Sequence, residues 1–271
     1  MLYLVATPIG NLKDFTFRAI ETLQACDYIL CEDTRTSSTL LNHYNIKKPL
    51  QSYHKFNEQQ KCDKIIHDLQ QGLNIALISD AGMPGIADPG YILVKQATEN
   101  NLQVTSIPGA SAIIAALACS GLPTERFQFA GFLPKKQEAL KSTLQEYLSY
   151  QGVTLCFESP ARLLETLELL ETLAPTRLLV VARELTKRFE EIQRGTALDL
   201  VTHFQNAILK GEIVLLISPC LEKQKDWNSL TPIEHVTYME ETFQMSRKDA
   251  ITVVAELRGV PKRIIYNEIV K

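Results

Sequence analysis

The chain has 271 residues, 45% of them hydrophobic and 22% charged, with a formal net charge of −3. That length supports a large core and more than one domain, no apolar run reaches the roughly 18–20 residues of a membrane span, and the acidic balance argues against a nucleic-acid binder unless positive charge is local. Six cysteines without a Cys-x-x-Cys pair and five histidines without a His-x-x-x-His pair point to a reducing, cytoplasmic setting with no disulfide framework and no metal site.

Leu2 to Ala6 reads as a first strand with no basic leader before it, and it runs into the tight loop Thr7-Pro8-Ile9-Gly10-Asn11-Leu12. Asp14 then caps a helix carrying Phe17, Ile20 and Leu23 at helical spacing. Tyr28 to Cys31 is the next short strand and delivers a charged tip, Glu32-Asp33-Thr34-Arg35. Two acids and an arginine at a strand end are placed for chemistry; the plainer reading is a solvated turn and helix cap. Pro49 to Tyr53 reads as a third strand, and a helix from Glu58 to Gln71 closes at Gly72.

Asn74 to Ile78 is a buried strand that opens into Ser79-Asp80-Ala81-Gly82-Met83-Pro84-Gly85-Ile86-Ala87-Asp88-Pro89-Gly90. Glycines let backbone N–H groups approach a ligand and prolines hold a loop in one shape, and open α/β sheets bind ligands at such strand ends. A helix follows from Tyr91. Gln103 to Ile107 is a strand leading into Pro108-Gly109-Ala110-Ser111-Ala112, and Ser111 to Cys119 is a small-residue helix ended by Gly121. Its first N–H groups can meet an anion. The alternation predicts α/β architecture with a parallel, helix-covered sheet.

The pattern restarts after Gly121-Leu122-Pro123-Thr124, which places domains over 1–121 and 122–220. Phe127 to Gly131 is strand-like, ending at Phe132-Leu133-Pro134-Lys135-Lys136, and a helix runs to Tyr150. Val153 to Phe157 is a strand ending at Glu158, with Ser159 as N-cap and Pro160 at the first helical position of the next helix. Leu178 to Ala182 is a strand ending at Arg183-Glu184-Leu185-Thr186-Lys187, Phe189 to Gly195 reads as an edge strand, and Glu212 to Ser218 closes the domain. Pro219 to Thr231 reads as a linker. A third, helical domain over 231–271 has helices from Pro232, from Ser246 or Arg247 and from Pro261, with a tight turn at Gly259 that resembles a helix-turn-helix. Arg247, Lys248, Arg258, Lys262 and Arg263 make it locally basic, which suits RNA; a structural cap or dimer element is the alternative.

Six of these loops come in order: Thr7-Pro8-Ile9-Gly10-Asn11-Leu12, Glu32-Asp33-Thr34-Arg35, Ser79-Asp80-Ala81-Gly82-Met83-Pro84, Pro108-Gly109-Ala110-Ser111-Ala112, Phe157-Glu158-Ser159-Pro160 and Glu184-Leu185-Thr186-Lys187. Together they resemble the ribosomal small subunit RNA methyltransferase I family, of the tetrapyrrole-methylase class of S-adenosylmethionine enzymes, over nearly the whole chain. The resemblance implies two α/β domains with S-adenosylmethionine in the cleft between them, usually in a homodimer, and 2′-O-methylation of cytidine 1402 of 16S rRNA in the small ribosomal subunit. It carries the cofactor contacts to Pro8, Ile9, Asp80, Gly82, Met83, Ala110, Ser111 and Ala112, and in the second domain to Phe157, Ala182 and Glu212.

Methyl transfer from a sulfonium is an in-line displacement that gains most from alignment and exclusion of water, and it requires no metal. A ribose hydroxyl is a poor nucleophile, so a nearby group should accept its proton. Candidates are Glu32, Asp33, Glu158 and Lys187, the last only if burial or cations such as Arg183 lower its pKa. Glu32, Glu158 and Lys187 are expected to flank the target ribose, with Arg35 holding phosphate in a forked contact; the alternative is a Glu32–Arg35 ion pair that only fixes its loop. Lys135, Lys136, Arg247, Lys248, Lys262 and Arg263 are expected to add salt-sensitive RNA binding. Rival readings are a tetrapyrrole or other small-molecule methylase of the same class, a serine hydrolase using Ser111, whose Gly-x-Ser-x-Gly pattern is broken, and a non-catalytic RNA-binding module. No Gly-x-Gly-x-x-Gly follows the first strand, which disfavours a nicotinamide enzyme.

Overall fold

Short apolar runs bounded by glycine, proline and charge make the strands. The computed structural model describes residues 1–220, 230–243 and 245–269, so the expected linker lies mostly outside the described residues. In the first sheet β1 (Leu2–Val5), β2 (Tyr28–Cys31), β3 (Leu50–Ser52), β4 (Ile75–Ile78) and β5 (Val104–Ile107) run parallel in the order β3-β2-β4-β1-β5. Leu2 stands between Ile75 and Val104, and Val5 between Ile78 and Ile107. Every residue of β2 and β4 is buried, as strands covered on both faces require. Helices α1 (Phe17–Ala25), α2 (Thr34–His43), α3 (Glu58–Gln70), α4 (Tyr91–Glu99) and α5 (Ala112–Ser120) follow the strands. They pack cores around Leu30, Tyr53, Ile65 and Leu93 and around Leu23, Ile29, Leu41 and Ile78. Because the strands are parallel, the loops after β1 to β5 gather at one edge of the sheet.

One local expectation shifts and another holds. Asp14 lies in a short 3-10 turn, and Thr16 caps α1 instead, its hydroxyl accepting the Ala19 N–H at 3.1 Å. At the charged tip the plainer reading, a turn and helix cap, is what forms, with Asp33 as the N-cap of α2. Its first turns are weak helix formers, but Asp33 caps it by accepting the Arg35 N–H at 2.8 Å, and Ser37 and Leu41 are buried.

The second sheet holds β6 (Phe127–Phe132), β7 (Val153–Glu158), β8 (Leu179–Arg183), β9 (Glu191–Gly195) and β10 (Ile213–Ile217) in the order β6-β7-β10-β8-β9. It is mixed rather than parallel: β6 and β7 run together, while β10 is antiparallel to β7 and β8, and β9 to β8. Helix α6 (Gln137–Ser149) carries the chain from β6 to β7, but the connection from β8 to β9 is too short for a crossover helix. β10 enters last, at the centre, with all its residues buried. Helices α7 (Leu163–Leu173) and α8 (Ala197–Phe204) join α6 over a core containing Leu144, Leu167, Phe204 and Leu215. The other face packs Leu155, Val180 and Leu216 against Ile9, Ile113 and Leu117. Ser159 and Pro160 do not begin α7; they make a turn whose Ser159 carbonyl accepts the Arg162 and Leu163 N–H groups, and the N-cap is Arg162.

Met1–Pro219 is one compact unit and Cys220–Lys271 a second. In the latter α9 (Pro232–Phe243), α10 (Arg247–Leu257) and α11 (Lys262–Ile269) pack around Val236, Met239, Val254 and Ile265. Gly259, at φ +64°, makes the turn between α10 and α11. Arg258, read as part of the basic cluster, turns inward, donating to His235 Nδ1 at 3.1 Å and to the Leu230 carbonyl at 2.6 Å. Among the described residues no helix is long and apolar enough to cross a membrane.

Candidate active site

The loop after β4 is tied to the loop after β1 by paired backbone hydrogen bonds. The Thr7 N–H donates to the Gly82 carbonyl at 2.9 Å, and the Gly82 N–H to the Thr7 carbonyl at 3.1 Å. The buried Thr7 hydroxyl donates to the Ser79 carbonyl, and the Ser79 hydroxyl to the Gly82 carbonyl, each at 3.1 Å. Gly82 sits at φ +80°, and a Cβ on it would stand 3.4 Å from Ile9 Cγ2, so glycine both relieves strain and leaves the surface open. Ser111 caps α5 by accepting the Ile114 N–H at 3.5 Å, and the first N–H groups of α5 have no intrahelical partner.

These loops and the second sheet bound a cleft of about 390 Å³. Ile9, Asp80, Gly82, Met83, Ser111, Ala112, Phe157, Ala182 and Glu212, all expected at the cofactor, line it. Pro8 and Ala110 do not: Pro8 is buried, and Ala110 packs on the core that holds Leu117. Phe132, Leu185, Gly211 and Asp88 line the cleft without having been singled out from the sequence. The Phe132 ring tilts against Phe157 with centroids 5.1 Å apart, and Phe129 backs Phe157 at 5.0 Å. The pairing of β6 with β7 shifts register between Phe129 and Phe132; regular alternation carries no sign of that shift.

Of the three expected catalytic residues only Glu158 lines the cleft. Its side chain is 1% exposed and its oxygens are committed: Oε1 accepts the Ser159 N–H at 2.7 Å and pairs with Arg162 at 3.3 Å, and Oε2 accepts the Thr166 hydroxyl at 2.8 Å. The Lys187 ammonium donates to Glu184 Oε1 and Glu212 Oε2, each at 2.8 Å. Burial alone would lower its pKa, but the hydrogen bonds to the two carboxylates outweigh burial and leave it raised. Lys187 is thus held as a cation paired with both carboxylates. Arg183, named as a cation that could depress it, pairs with Glu191 at 2.6 Å instead. The Lys187 stem covers Gly10, where any Cβ would collide with it. The same loop holds Glu184 at φ +51° and Thr186 at φ +64°, a strained turn braced by these ion pairs.

At the charged tip Arg35 pairs with Asp33, not Glu32. Nη2 meets Oδ2 at 2.8 Å and Nε meets Oδ1 at 3.2 Å, and the Arg35 side chain is 90% exposed. The Arg35 hydrogen bond draws the Asp33 carboxyl down to about 2. Glu32 is half-buried and stands outside the cleft lining. The Asp33 N–H reaches Asp80 Oδ1 at 3.4 Å, and burial raises Asp80 above the usual carboxylate range. Asp88 is pushed up to about 6, first by burial and then by the charge of Glu32. Lys135 and Lys136 are exposed before α6; Arg247 and Lys248 open α10, and Lys262 and Arg263 open α11, all exposed.

A family model of tetrapyrrole (corrin/porphyrin) methylases matches residues 1–201. The chain is 47% identical over 271 residues to a protein of Halalkalibacterium halodurans named ribosomal RNA small subunit methyltransferase I, covering 98% of this chain and 93% of that one. The Bacillus subtilis protein of the same name is 41% identical, covering 98% and 93%. The chain belongs to the tetrapyrrole methylases and, within them, to the ribosomal RNA small subunit methyltransferase I family. The architecture of this methyltransferase agrees with a crystal structure of diphthine synthase, at a TM-score of 0.63 and 14% identity over 80% of this chain and 90% of that one. It also agrees with uroporphyrin-III-C-methyltransferase from Thermus thermophilus, at a TM-score of 0.54 and 17% identity over 80% and 93%. At such identities the likeness speaks for the fold alone. Membership in a methyltransferase family of this class implies a methyl donor of the S-adenosylmethionine type.

Proposed function

We infer that this chain transfers the methyl group of S-adenosylmethionine to 16S rRNA of the small ribosomal subunit, and that the acceptor is the 2′-hydroxyl of cytidine 1402, as the family resemblance implies. The observation that carries this reading is the extent of the likeness. The tetrapyrrole-methylase pattern ends at residue 201, whereas the rRNA methyltransferase relatives match 98% of the chain, which takes in most of α9 to α11. The three regions 1–121, 122–220 and 231–271 then divide the work: the first two hold the donor and the third adds contacts to RNA. Cytoplasmic residence and a homodimer belong to the same proposal.

The cleft fits the donor. Its volume of about 390 Å³ lies in the range of small-molecule sites. Ile9, Met83, Phe157 and Leu185 offer apolar surface to an adenine, the Gly82 backbone and the start of α5 offer N–H groups to a carboxylate, and Asp80 offers a counter-charge to an ammonium or acceptors to ribose hydroxyls. When bound, the donor supplies an electrophilic methyl on sulfonium. The chain's own part is to align the two reactants and keep water out, the terms that dominate such a displacement. Glu158 fixes the turn into α7, Lys187 holds Glu212 at the cleft wall, and Glu32 and Arg35 mark the acceptor side. The deciding experiment supplies labelled S-adenosylmethionine and small subunits lacking the modification, then digests the RNA to nucleosides. Label in 2′-O-methylcytidine is the expected result; donor binding without transfer would move the substrate to another RNA or a small molecule.

A further inference from the structure

The turn between β8 and β9 carries Arg188 and Phe189 at the rim of the cleft. We propose that this pair is the platform on which the base of the acceptor nucleotide stacks while its ribose enters the cleft. The inference rests on the methyl-transfer reading above and names what holds the acceptor in place.

The turn is built into the cleft wall. Leu185 lines the cleft, and so does Glu212, which the Lys187 ammonium holds at 2.8 Å. Lys187 also lies over Gly10, the neighbour of the lining residue Ile9. Gly211, another lining residue, packs so closely on Glu184 that a Cβ there would collide with its carboxylate. Glu190 closes the turn by accepting the Thr186 N–H at 2.5 Å, and the Lys187 N–H donates to the Glu184 carbonyl at 3.0 Å. The positive φ of Glu184 and Thr186 is a strained state of the kind that ligand clamps hold. With those residues committed, the next two face outward. Phe189 is 68% exposed, and the Arg188 guanidinium lies over its ring, 5.5 Å from the centroid. The sequence pattern puts Phe189 at the start of an edge strand, but β9 begins at Glu191 and leaves the ring outside the ladder.

A ribose that enters a protein cleft carries its base out of the RNA stack, and the base loses its stacking partners. An exposed aromatic ring replaces them. Every base has a π-face, so such stacking needs no hydrogen-bond readout, and an arginine beside the ring adds cation–π attraction and a charge for phosphate. Phe189 supplies the ring, with Arg188 over it and most of its surface open. Because the same turn contributes Leu185 to the cleft wall, a base on Phe189 belongs to the nucleotide whose ribose faces the donor. Phe56 is a weaker candidate for that nucleotide. It is 97% exposed and follows Lys55, but it lies beyond β3, the edge strand of the first sheet, and no residue from Tyr53 to Asn57 lines the cleft.

The test compares Phe189→Ala, Phe189→Leu and Phe189→Trp with wild type, as full-length proteins, on small subunits lacking the modification. Loss of one stacking contact should lower kcat/KM about 10-fold or more in Phe189→Ala and Phe189→Leu. Phe189→Trp, which keeps a flat face, should stay close to wild type, and calorimetric binding of S-adenosylmethionine should be unchanged in all three. A second substrate isolates the base: subunits reconstituted with RNA whose acceptor nucleotide lacks it. Wild type should lose about the same factor on that substrate, whereas Phe189→Ala should lose little more, because the two changes remove one contact. An inactive wild type would overturn the functional reading. An active wild type matched by Phe189→Ala and Phe189→Leu would overturn this assignment alone. So would losses from the protein and RNA changes that multiply, or loss of donor binding in step with turnover. A variant whose elution volume on gel filtration shifts as turnover falls would give the ring to a contact between copies of the chain and overturn the assignment as well. Should Phe189→Ala fail to fold, Phe189→Leu against Phe189→Trp decides on the same terms.

Discussion

Glu158 and Asp88 are both carboxylates on the cleft wall, in opposite surroundings. Glu158 meets a backbone N–H, a hydroxyl and a guanidinium, and Arg162 in turn donates to the Leu133 carbonyl. It is an anchor for two connections of the second sheet. Asp88 meets like charge and half-burial. Replacing Glu158 by Ala removes the partner of the buried Thr166 hydroxyl and the counter-charge of Arg162, which keeps its bonds to the Leu133 and Pro134 carbonyls; removal of one partner from a buried pair costs about 3–5 kcal/mol. Urea unfolding of Glu158→Ala should show a loss of that order, with the molecules that remain folded still turning over. A variant of full stability and no turnover would instead restore Glu158 to the reaction.

Helix α5 shows how an element can be read from sequence and its use still be missed. Small residues, a leading serine and a closing glycine marked its start and end, and Gly121 does take the left-handed conformation at φ +76°. The hydrolase reading of Ser111 gives way to the methyltransferase family, and in the fold its hydroxyl serves as the cap of α5. Ser111→Ala should cost about 1 kcal/mol of stability, measured by denaturant midpoint. It should also weaken donor binding, because the first turn of α5 lines the cleft, and a serine-reactive probe should label neither form. The first sheet was legible for a similar reason: each strand ends in glycine, proline or charge, and a helix separates it from the next. The second sheet was not, because strand direction depends on which edge is free when the chain returns. Ile213 to Ile217 reads as a buried strand wherever it lands, and only the assembled sheet shows that it lands antiparallel between β7 and β8. Phe132 escaped for want of a signal for the register shift, and Asp88 because two aspartates in one loop look alike until their neighbours are known. In α8 the Thr196–Asp199 capping box is a signal that the sequence itself carries.

At the scale of the whole molecule, charge has to be weighed by place rather than by sum. Residues 231–271 carry six basic and six acidic side chains, so the helical unit is balanced, not basic. With Arg258 turned inward, the exposed cations among the described residues of 231–269 are those at the helix starts. Arg247 and Lys248 occupy the first turn of α10, and Lys262 and Arg263 the first turn of α11. A cation at a helix N-terminus opposes the macrodipole and costs a few tenths of a kcal/mol, roughly 0.3–1 at exposed sites. Lys262 donates to the Thr252 hydroxyl, which leaves Arg247, Lys248 and Arg263 as the three cations proposed to meet an anion. The combined change Arg247→Ala, Lys248→Ala and Arg263→Ala should therefore leave the fold intact or slightly firmer. It should weaken binding to the small subunit and flatten the dependence of log affinity on log salt, by roughly 0.7–0.9 for each phosphate no longer neutralised. Binding of S-adenosylmethionine, measured on the same preparations, should not change. An unaltered salt slope would remove these helices from the RNA interface and leave Arg35, Lys55, Lys135 and Lys136 to form it.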